Sequence, residues 1–229
     1  MVPPAFAQAV AYGPYQGQLR GLIHLLKYDG MQPVAHRLGG LLAISLETFL
    51  ETAESTVPRR MLVVPVPLHR AKLRRRGFNH AELLARAAVS QASISGGSAR
   101  QWDLHLAFGM LERRRSTVSQ AGLTTRQRRQ NLRGAFFAPR PAGLAGRHVL
   151  LVDDVYTTGA TARACSRVLM DAGAASVWVV TLARAQREGV AHWDPPFMRS
   201  PLRHPAAPYQ NDQRITGAAS SQSVQRENV

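Results

Sequence analysis

The stretch VLLVDDVYTTGAT, residues 149–161, determines how the rest of the chain is interpreted. Its apolar beginning predicts a buried strand over His148–Val152, and the pattern that follows predicts a helix over Thr158–Met170. A second apolar run predicts the next strand over Ser176–Leu182. A strand, a helix and a strand in this order form a right-handed parallel unit. The chain is therefore expected to be an α/β protein in which this stretch joins a strand to a helix.

The residues of this loop are suited to a sugar phosphate. Ligands of open parallel sheets bind outside the C-terminal ends of the strands, and a helix start offers free backbone N–H groups and the positive end of the helix dipole. Gly159 lets the backbone approach a phosphate closely. The carboxylates of Asp153 and Asp154 would repel an anion unless they hold ribose hydroxyls or a hydrated Mg²⁺. We expect the phosphate against the residues that follow them, which are Tyr156, Thr157, Thr158, Gly159, Ala160 and Thr161.

The net charge of the chain is concentrated in its middle. The formal charge is +15 for 229 residues, and residues 55–150 hold 18 basic residues against three acidic ones. Nearly all of these cations are arginine, whose guanidinium matches phosphate groups. A GC-rich genome would explain arginine in place of lysine, but it does not explain the missing acids. The charge therefore favours a surface that faces a polyanion.

Apolar periodicity predicts the remaining elements. We expect helices over Gln18–Tyr28, Val34–Leu50 and Asn79–Gln91, strands over Met61–Val66 and Leu104–Phe108, and a basic loop over His69–Gly77. Residues 112–133 have weak periodicity and are expected to form a mobile loop or an exposed helix. We divide the chain into an N-terminal helical hood over 1–60, a core over 61–187 and a disordered tail over 188–229.

Residues 149–161 resemble the phosphoribosyl pyrophosphate signature of type I phosphoribosyltransferases. Residues 15–30, 64–81 and 120–136 resemble the ComF family, a competence-associated group with this fold that also includes GntX. The resemblance covers about residues 11–185. It implies a mostly parallel sheet flanked by helices, with a small N-terminal hood.

The resemblance also assigns roles to residues. It implies that Asp153 and Asp154 act in catalysis on phosphoribosyl pyrophosphate, with Mg²⁺ carried by that ligand and no metal held directly by the protein. The implied pyrophosphate loop contains Val66, Pro67, Leu68, Arg74, Arg75 and Arg76. The implied flexible loop, which would close over the substrate, contains Gln120, Arg126, Arg128 and Asn131.

Several classes of site and location are disfavoured by the sequence. Members of the ComF family commonly begin with a cysteine-rich zinc ribbon, whereas this chain has one cysteine, Cys165, so no zinc is expected. Its eight histidines are scattered without a metal-binding spacing. No run of apolar residues is long enough to predict a membrane span, and the N-terminus lacks the features of a signal peptide. We expect a cytoplasmic protein that does not insert into membranes.

Two main functions stay open at this point. The first is an enzyme that transfers a phosphoribosyl group to an unknown acceptor, linked to DNA uptake through the resemblance. The second is a non-catalytic protein that binds single-stranded DNA and contacts the DNA-uptake machinery, in which case accessible aromatic rings would stack on bases. The candidates for such stacking are Phe78, Trp102, Phe108, Phe136 and Phe137. A ligand-sensing regulator is a weaker third possibility, and the oligomeric state is open, with a dimer as one candidate.

Overall fold

A five-stranded parallel sheet forms the centre of the computed structural model, which describes residues 5–52, 58–94, 102–114, 132 and 134–185. The strands of this sheet are β1 (Ala9–Pro14), β2 (Arg60–Pro65), β3 (Asp103–Leu106), β6 (His148–Tyr156) and β7 (Ser176–Arg184), in the order β1-β7-β6-β2-β3. Two short strands, β4 (Glu112–Arg113) and β5 (Phe136–Phe137), pair antiparallel beside it. The helices are α1 (Gly17–Tyr28), α2 (Val34–Thr52), α3 (Arg70–Arg76), α4 (His80–Ile94) and α5 (Ala160–Asp171), with a 3₁₀ turn at Pro141–Gly143.

Helices cover both faces of the sheet. Successive side chains of a strand point to opposite faces. Leu150 and Val152 of β6 pack into the cluster formed with α1, α2 and α4, whereas Val149 and Leu151 pack into the cluster formed with α5. This two-sided burial explains why β6 reads as a continuous apolar run.

The helix layer over the first face depends on a close approach of α2 and α4. A Cβ at Gly39 of α2 would collide with the Cβ of Ala87 in α4. Only glycine therefore allows the two helices to lie at this distance, and their packing buries Leu38, Leu42 and Leu84 completely. Burying such side chains is the main favourable contribution to folding, at about 1.5–3 kcal/mol for each one.

The predicted fold class is confirmed, and three local predictions are corrected. Residues 9–14, to which the sequence assigned no element, form β1 and pair in parallel with β7. The predicted basic loop 69–77 contains helix α3, because His69 accepts a hydrogen bond from the Ala71 N–H at its start and Gly77 ends it in the left-handed conformation. The strand predicted to end at Val152 continues to Tyr156 along its partner β7.

The positions of the strand ends create a crevice beside β6. The neighbouring strand β2 pairs with β6 only as far as Pro65 opposite Val152, so the last residues of β6 extend beyond it. From β6 the chain passes through α5 to β7 on one side, and from β2 it passes through α3 and α4 to β3 on the other. Such a reversal of strand order is the usual place for a ligand in an open α/β sheet.

Two predicted segments lie outside the described residues, namely the tail 188–229 and most of the loop 112–133. The division into hood, core and tail stays a prediction. None of the described helices has the length and apolarity that a membrane crossing requires.

Candidate functional site

The start of helix α5 offers uncapped backbone donors. Gly159 precedes it with a φ of 69°, and a Cβ at this position would collide with the Tyr156 hydroxyl. No side chain caps the helix start, so its first backbone N–H groups keep their capacity to donate, and the helix dipole adds a partial positive charge there. The turn therefore requires glycine at position 159, because the backbone is left-handed there and a side chain would collide with Tyr156.

Thr158 provides a further polar group that the protein itself does not use. Its hydroxyl oxygen is buried and has no hydrogen-bond partner among the described residues. The Thr158 carbonyl oxygen, in contrast, accepts a hydrogen bond from the Arg163 guanidinium, which fixes the peptide. Leaving a buried hydroxyl unpaired costs about 1–3 kcal/mol. The hydroxyl is therefore a buried donor without a partner beside the uncapped helix start.

A small cleft of about 10 Å³ adjoins this helix start. Of the residues predicted to hold the phosphate, Thr158 does not line this cleft, whereas the cleft is lined by Tyr156, Thr157, Gly159, Ala160 and Thr161, together with the acid Asp153. The Arg184 guanidinium lies 5.3 Å from the centre of the Tyr156 ring, which lines the cleft. The structure thus brings together the loop and one of the two predicted acids.

Asp154 lies on the other face of the sheet. It is 4% exposed, and its Oδ2 lies 2.5 Å from Nζ of Lys27 in α1 and 3.1 Å from Nε2 of His80 in α4. Neither partner was predicted, and the sequence gives no local signal that either would reach the acids. The two adjacent carboxylates therefore have different surroundings.

The same asymmetry appears in the ionisation of the two acids. Burial, and then the charge of Asp154, raise the pKa of Asp153 to about 7. Burial also opposes ionisation of Asp154, but Lys27 and His80 outweigh it and hold the pKa of Asp154 well below its usual range. Burial lowers the pKa of Lys27, but the nearby Asp154 carboxylate outweighs this, so that the pKa of Lys27 is raised. Lys27 and Asp154 therefore form a fully ionised buried pair.

A protein-made metal site is disfavoured at this position. Among the described residues, His80, Asp153 and Asp154 offer ligand atoms within 4.8 Å of one another. The Lys27 ammonium, however, lies against Oδ2 of Asp154, beside any cation that this carboxylate would bind. A metal ion there would meet a like charge.

A second and larger cleft, of about 250 Å³, opens at the ends of β2 and β3. Pro67 and Leu68 of the predicted pyrophosphate loop line it, together with Arg70 and Arg113. Val66 is instead buried, and its N–H donates to the Val152 carbonyl oxygen. This cleft places cationic side chains beside a strand end that neighbours β6.

The three arginines assigned to the pyrophosphate loop are separated from this cleft. Arg74, Arg75 and Arg76 belong to α3, and none of them lines either described cleft. Arg76 lies 2.9 Å from Nδ1 of His80 and stacks at 5.7 Å from the centre of the Tyr28 ring. The flexible-loop residues Gln120, Arg126, Arg128 and Asn131 lie outside the described residues.

Comparison with known proteins decides the family. Residues 74–209 match the family model described as phosphoribosyl transferase domain. The DNA utilization protein YhgH of Escherichia coli K12 is 35% identical over 182 residues, which is 80% of this chain and 74% of that protein. Competence protein F of Haemophilus influenzae is 32% identical over 183 residues, which is 80% of this chain and 75% of that protein.

This chain belongs to the ComF family. The family has a phosphoribosyltransferase-type domain, which agrees with the parallel sheet and its crevice beside β6. Among solved structures, a hypoxanthine phosphoribosyltransferase of Staphylococcus aureus aligns with a TM-score of 0.39 and 14% identity, covering 65% of this chain and 64% of that one. That likeness is too distant to inform the site of this ComF-family protein.

Proposed function

We propose that this ComF-family protein binds phosphoribosyl pyrophosphate with Mg²⁺ and transfers its phosphoribosyl group to an acceptor. The observation that carries the proposal is the buried, unpaired Thr158 hydroxyl at the uncapped start of α5. A phosphate oxygen accepts hydrogen bonds from such a hydroxyl and from helix N–H groups together. The 5-phosphate of the ligand would occupy this position.

The other parts of the ligand are matched by neighbouring groups. Asp153 lines the same cleft and, when ionised, accepts hydrogen bonds from ribose hydroxyls. Pro67 and Leu68 line the larger cleft, where Arg113 suits the charges of the diphosphate, while Arg70 lies 3.9 Å from Glu112 in the same lining. Mg²⁺ would be held by oxygens of the ligand, since the Lys27 ammonium lies against Asp154. The ion supplies charge neutralisation for the departing diphosphate.

In the reaction, the bond between ribose C1 and the diphosphate oxygen breaks, and its electron pair leaves with the diphosphate. The acceptor, a nitrogenous base or amine, then forms the new bond to C1 with its nitrogen lone pair and gives up a proton, which the departing diphosphate can accept. Positive charge develops on the ribose between these events, and a carboxylate held nearby stabilises it. Asp153 is the described carboxylate on the cleft side of the strand.

Calorimetric titration tests the proposal. Phosphoribosyl pyrophosphate, with and without Mg²⁺, is titrated into the folded protein, with ribose 5-phosphate as a comparison. We expect micromolar binding that is strengthened by Mg²⁺ and lost in Asp153→Asn. The absence of binding by a folded protein would refute the proposal.

A second candidate function, binding of single-stranded DNA, is favoured by a separate observation. Two arginine and aromatic pairs lie on the accessible surface: Arg86 at 4.1 Å from the centre of Phe108 and Arg114 at 3.7 Å from that of Phe137. Phe137 is 38% exposed. Aromatic and guanidinium planes stack on bases without regard to sequence. The relatives named DNA utilization protein and competence protein support this reading.

Not all of the predicted stacking residues are available for such binding. Phe78, Trp102 and Phe136 are buried in the core, with exposed fractions under a tenth. Phe108 and Phe137 therefore carry the candidate stacking. Fluorescence anisotropy of a labelled oligothymidylate, with Phe137→Ala as the variant, tests it. We expect affinity to fall for Phe137→Ala, and an unchanged affinity would place DNA elsewhere.

A further inference from the structure

The larger cleft, at the ends of β2 and β3, differs in composition from the cleft beside α5. The two clefts share no lining residue. Its volume of about 250 Å³ exceeds that of an engineered cavity of about 150 Å³ that binds benzene in another protein, so a planar heterocycle fits inside. Its walls include the ring of Phe108, the apolar side chain of Leu73 and the polar side chains of Glu82 and Asn79. An apolar wall with a few polar groups is typical of a small-molecule site.

Phe108 contributes an aromatic surface to this cleft. The Arg86 guanidinium lies 4.1 Å from the centre of the ring, while Arg86 itself does not line the cleft. The guanidinium therefore lies against the side of the ring that is turned away from the cleft, and the other side is left for a ligand. Aromatic side chains stack on every nucleobase, so Phe108 by itself gives no preference among the bases.

The same arginine holds the carboxylate of Glu82. Nη2 of Arg86 lies 3.0 Å from Oε1 of Glu82, one turn earlier in α4. A carboxylate accepts hydrogen bonds at both of its oxygens. The contact with Arg86 uses Oε1 alone, so Oε2 can accept from a ligand. One side chain thus fixes both an aromatic ring and a hydrogen-bond acceptor at the cleft.

Asn79 adds a donor to the same lining. Its Oδ1 accepts from the Ala81 N–H at 3.1 Å, and its Nδ2 donates to the Val66 carbonyl oxygen at 3.1 Å. These two bonds fix which end of the amide is the nitrogen. The amide nitrogen carries two hydrogens, and the second one can donate to a ligand. The cleft therefore presents an acceptor from Glu82, a donor from Asn79 and a stacking surface from Phe108.

These groups match the hydrogen-bonding edge of guanine and mismatch the edges of the other bases. Guanine carries two adjacent N–H donors, at N1 and at the N2 amino group, next to the O6 acceptor. A carboxylate accepts from both donors, and an amide N–H donates to O6. Adenine and cytosine place a ring nitrogen acceptor beside the amino group, and thymine places a carbonyl on each side of its N–H. Each of these acceptors would face the Glu82 carboxylate and be repelled by it.

We propose that the cleft at the ends of β2 and β3 is a guanine-selective nucleobase site, in which Phe108 stacks on the base and Glu82 accepts hydrogen bonds from N1 and the N2 amino group. Arg86 is a positioning residue that acts through both side chains. The base belongs either to a free nucleotide or to a guanine of single-stranded DNA, since both carry the same edge. The inference does not depend on the proposed phosphoribosyl transfer, because a nucleoside already carries every group that the site recognises.

Calorimetric titration of nucleosides into the wild-type protein gives the first test. Inosine is the matched control for guanosine, because it has the same two rings and the same O6 and lacks only the N2 amino group. Neither nucleoside carries a phosphate, so their binding does not involve the diphosphate position at Arg113. We expect guanosine to bind about tenfold or more tightly than inosine, as for a hydrogen bond to a charged group. Equal affinities, or no binding of guanosine, would overturn the proposal.

Three variants assign the selectivity to residues. Glu82→Gln should bind guanosine and inosine within about threefold of each other, because the amide has lost the second acceptor and the charge. Glu112→Gln changes the other acid of the lining and should keep the preference for guanosine. Phe108→Leu should weaken both nucleosides by roughly tenfold and keep their ratio, since stacking does not distinguish them. A Glu82→Gln protein that melts at the wild-type temperature and keeps the preference would overturn the role of Glu82.

Labelled oligonucleotides distinguish the two sources of the base. Fluorescence anisotropy compares an oligothymidylate that has one central guanine with the same strand carrying hypoxanthine at that position. A preference for the guanine strand that Glu82→Gln removes shows that the cleft takes a base of single-stranded DNA. A preference among nucleosides without one among strands shows that it takes a free nucleotide. A protein that binds guanosine and no phosphoribosyl pyrophosphate would refute the proposed function and support this inference, so the two failures are distinguishable.

Discussion

Replacing Thr158 by valine should stabilise the protein and weaken its ligand binding at the same time. The buried hydroxyl has no partner in the ligand-free protein among the described residues. Replacing it with a methyl group removes an unpaired polar group whose burial costs about 1–3 kcal/mol. We expect a gain of about 1 kcal/mol, which raises the melting temperature by about 2–4 °C in a protein of this size.

The effect on binding has the opposite sign. A hydrogen bond to a charged phosphate contributes about 1.5–3 kcal/mol, and its loss lowers affinity by roughly 10- to 100-fold. Thermal unfolding followed by circular dichroism measures the first effect, and calorimetry with phosphoribosyl pyrophosphate measures the second. Thr158→Ser is the matched control, because it keeps the hydroxyl and should bind within about threefold of the wild type.

One result would refute this reasoning about Thr158. If Thr158→Val lowers the melting temperature and leaves the affinity unchanged, the hydroxyl has its partner within the folded protein and has none in the ligand. The start of α5 would then lose the observation on which the phosphate site depends.

Three further predictions concern the same site and the basic helix beside it. The pKa of the Asp153 carboxyl is near 4 in the unfolded chain and about 7 in the folded protein, so the folded state keeps a proton that the unfolded state releases, and the free energy of unfolding falls as the pH rises from 4 to 7. Urea unfolding at pH 4 and pH 8 should show a smaller fall of this free energy in Asp153→Asn than in the wild type, and an equal fall would contradict the raised pKa. Gly159→Ala should cost about 1–2 kcal/mol for its left-handed backbone, and more for the collision with the Tyr156 hydroxyl, whereas an unchanged melting temperature would mean that the turn can rearrange. Replacing Arg74 and Arg75 together by alanine should reduce the salt slope of single-stranded DNA binding by about 0.7 for each lost phosphate contact, and an unchanged slope would exclude α3 from the DNA surface.

The strand, the loop and the helix of residues 149–161 could be predicted because their signals are local. A run of apolar residues, two acids and a glycine before a helical pattern each carry their meaning within a few positions. Helix α3 also had local signals in His69 and Gly77, but it buries none of its residues. Because α3 has no apolar stripe, its arginine-rich sequence is interpreted as a loop.

The features that could not be predicted depend on contacts between distant parts of the chain. Strand β1 contains Gly13 and Pro14, which disfavour a strand locally, and it is stabilised by parallel pairing with β7. In the same way, no spacing rule joins Lys27 to Asp154. The different surroundings of Asp153 and Asp154 follow from the pleat of β6. They could not be predicted without knowing that this strand continues past Val152.

The pairing of β1 with β7 also has a consequence for synthesis in the cell. Among the described strands, β1 is the first to leave the ribosome, and its only neighbour in the sheet, β7, is the last. Until residue 184 has been translated and released, β1 lacks its partner strand, and bringing the two strands together costs a large loop-closure entropy. A nascent chain of this protein is therefore expected to depend on protection from aggregation for nearly the whole time that the sheet is being made.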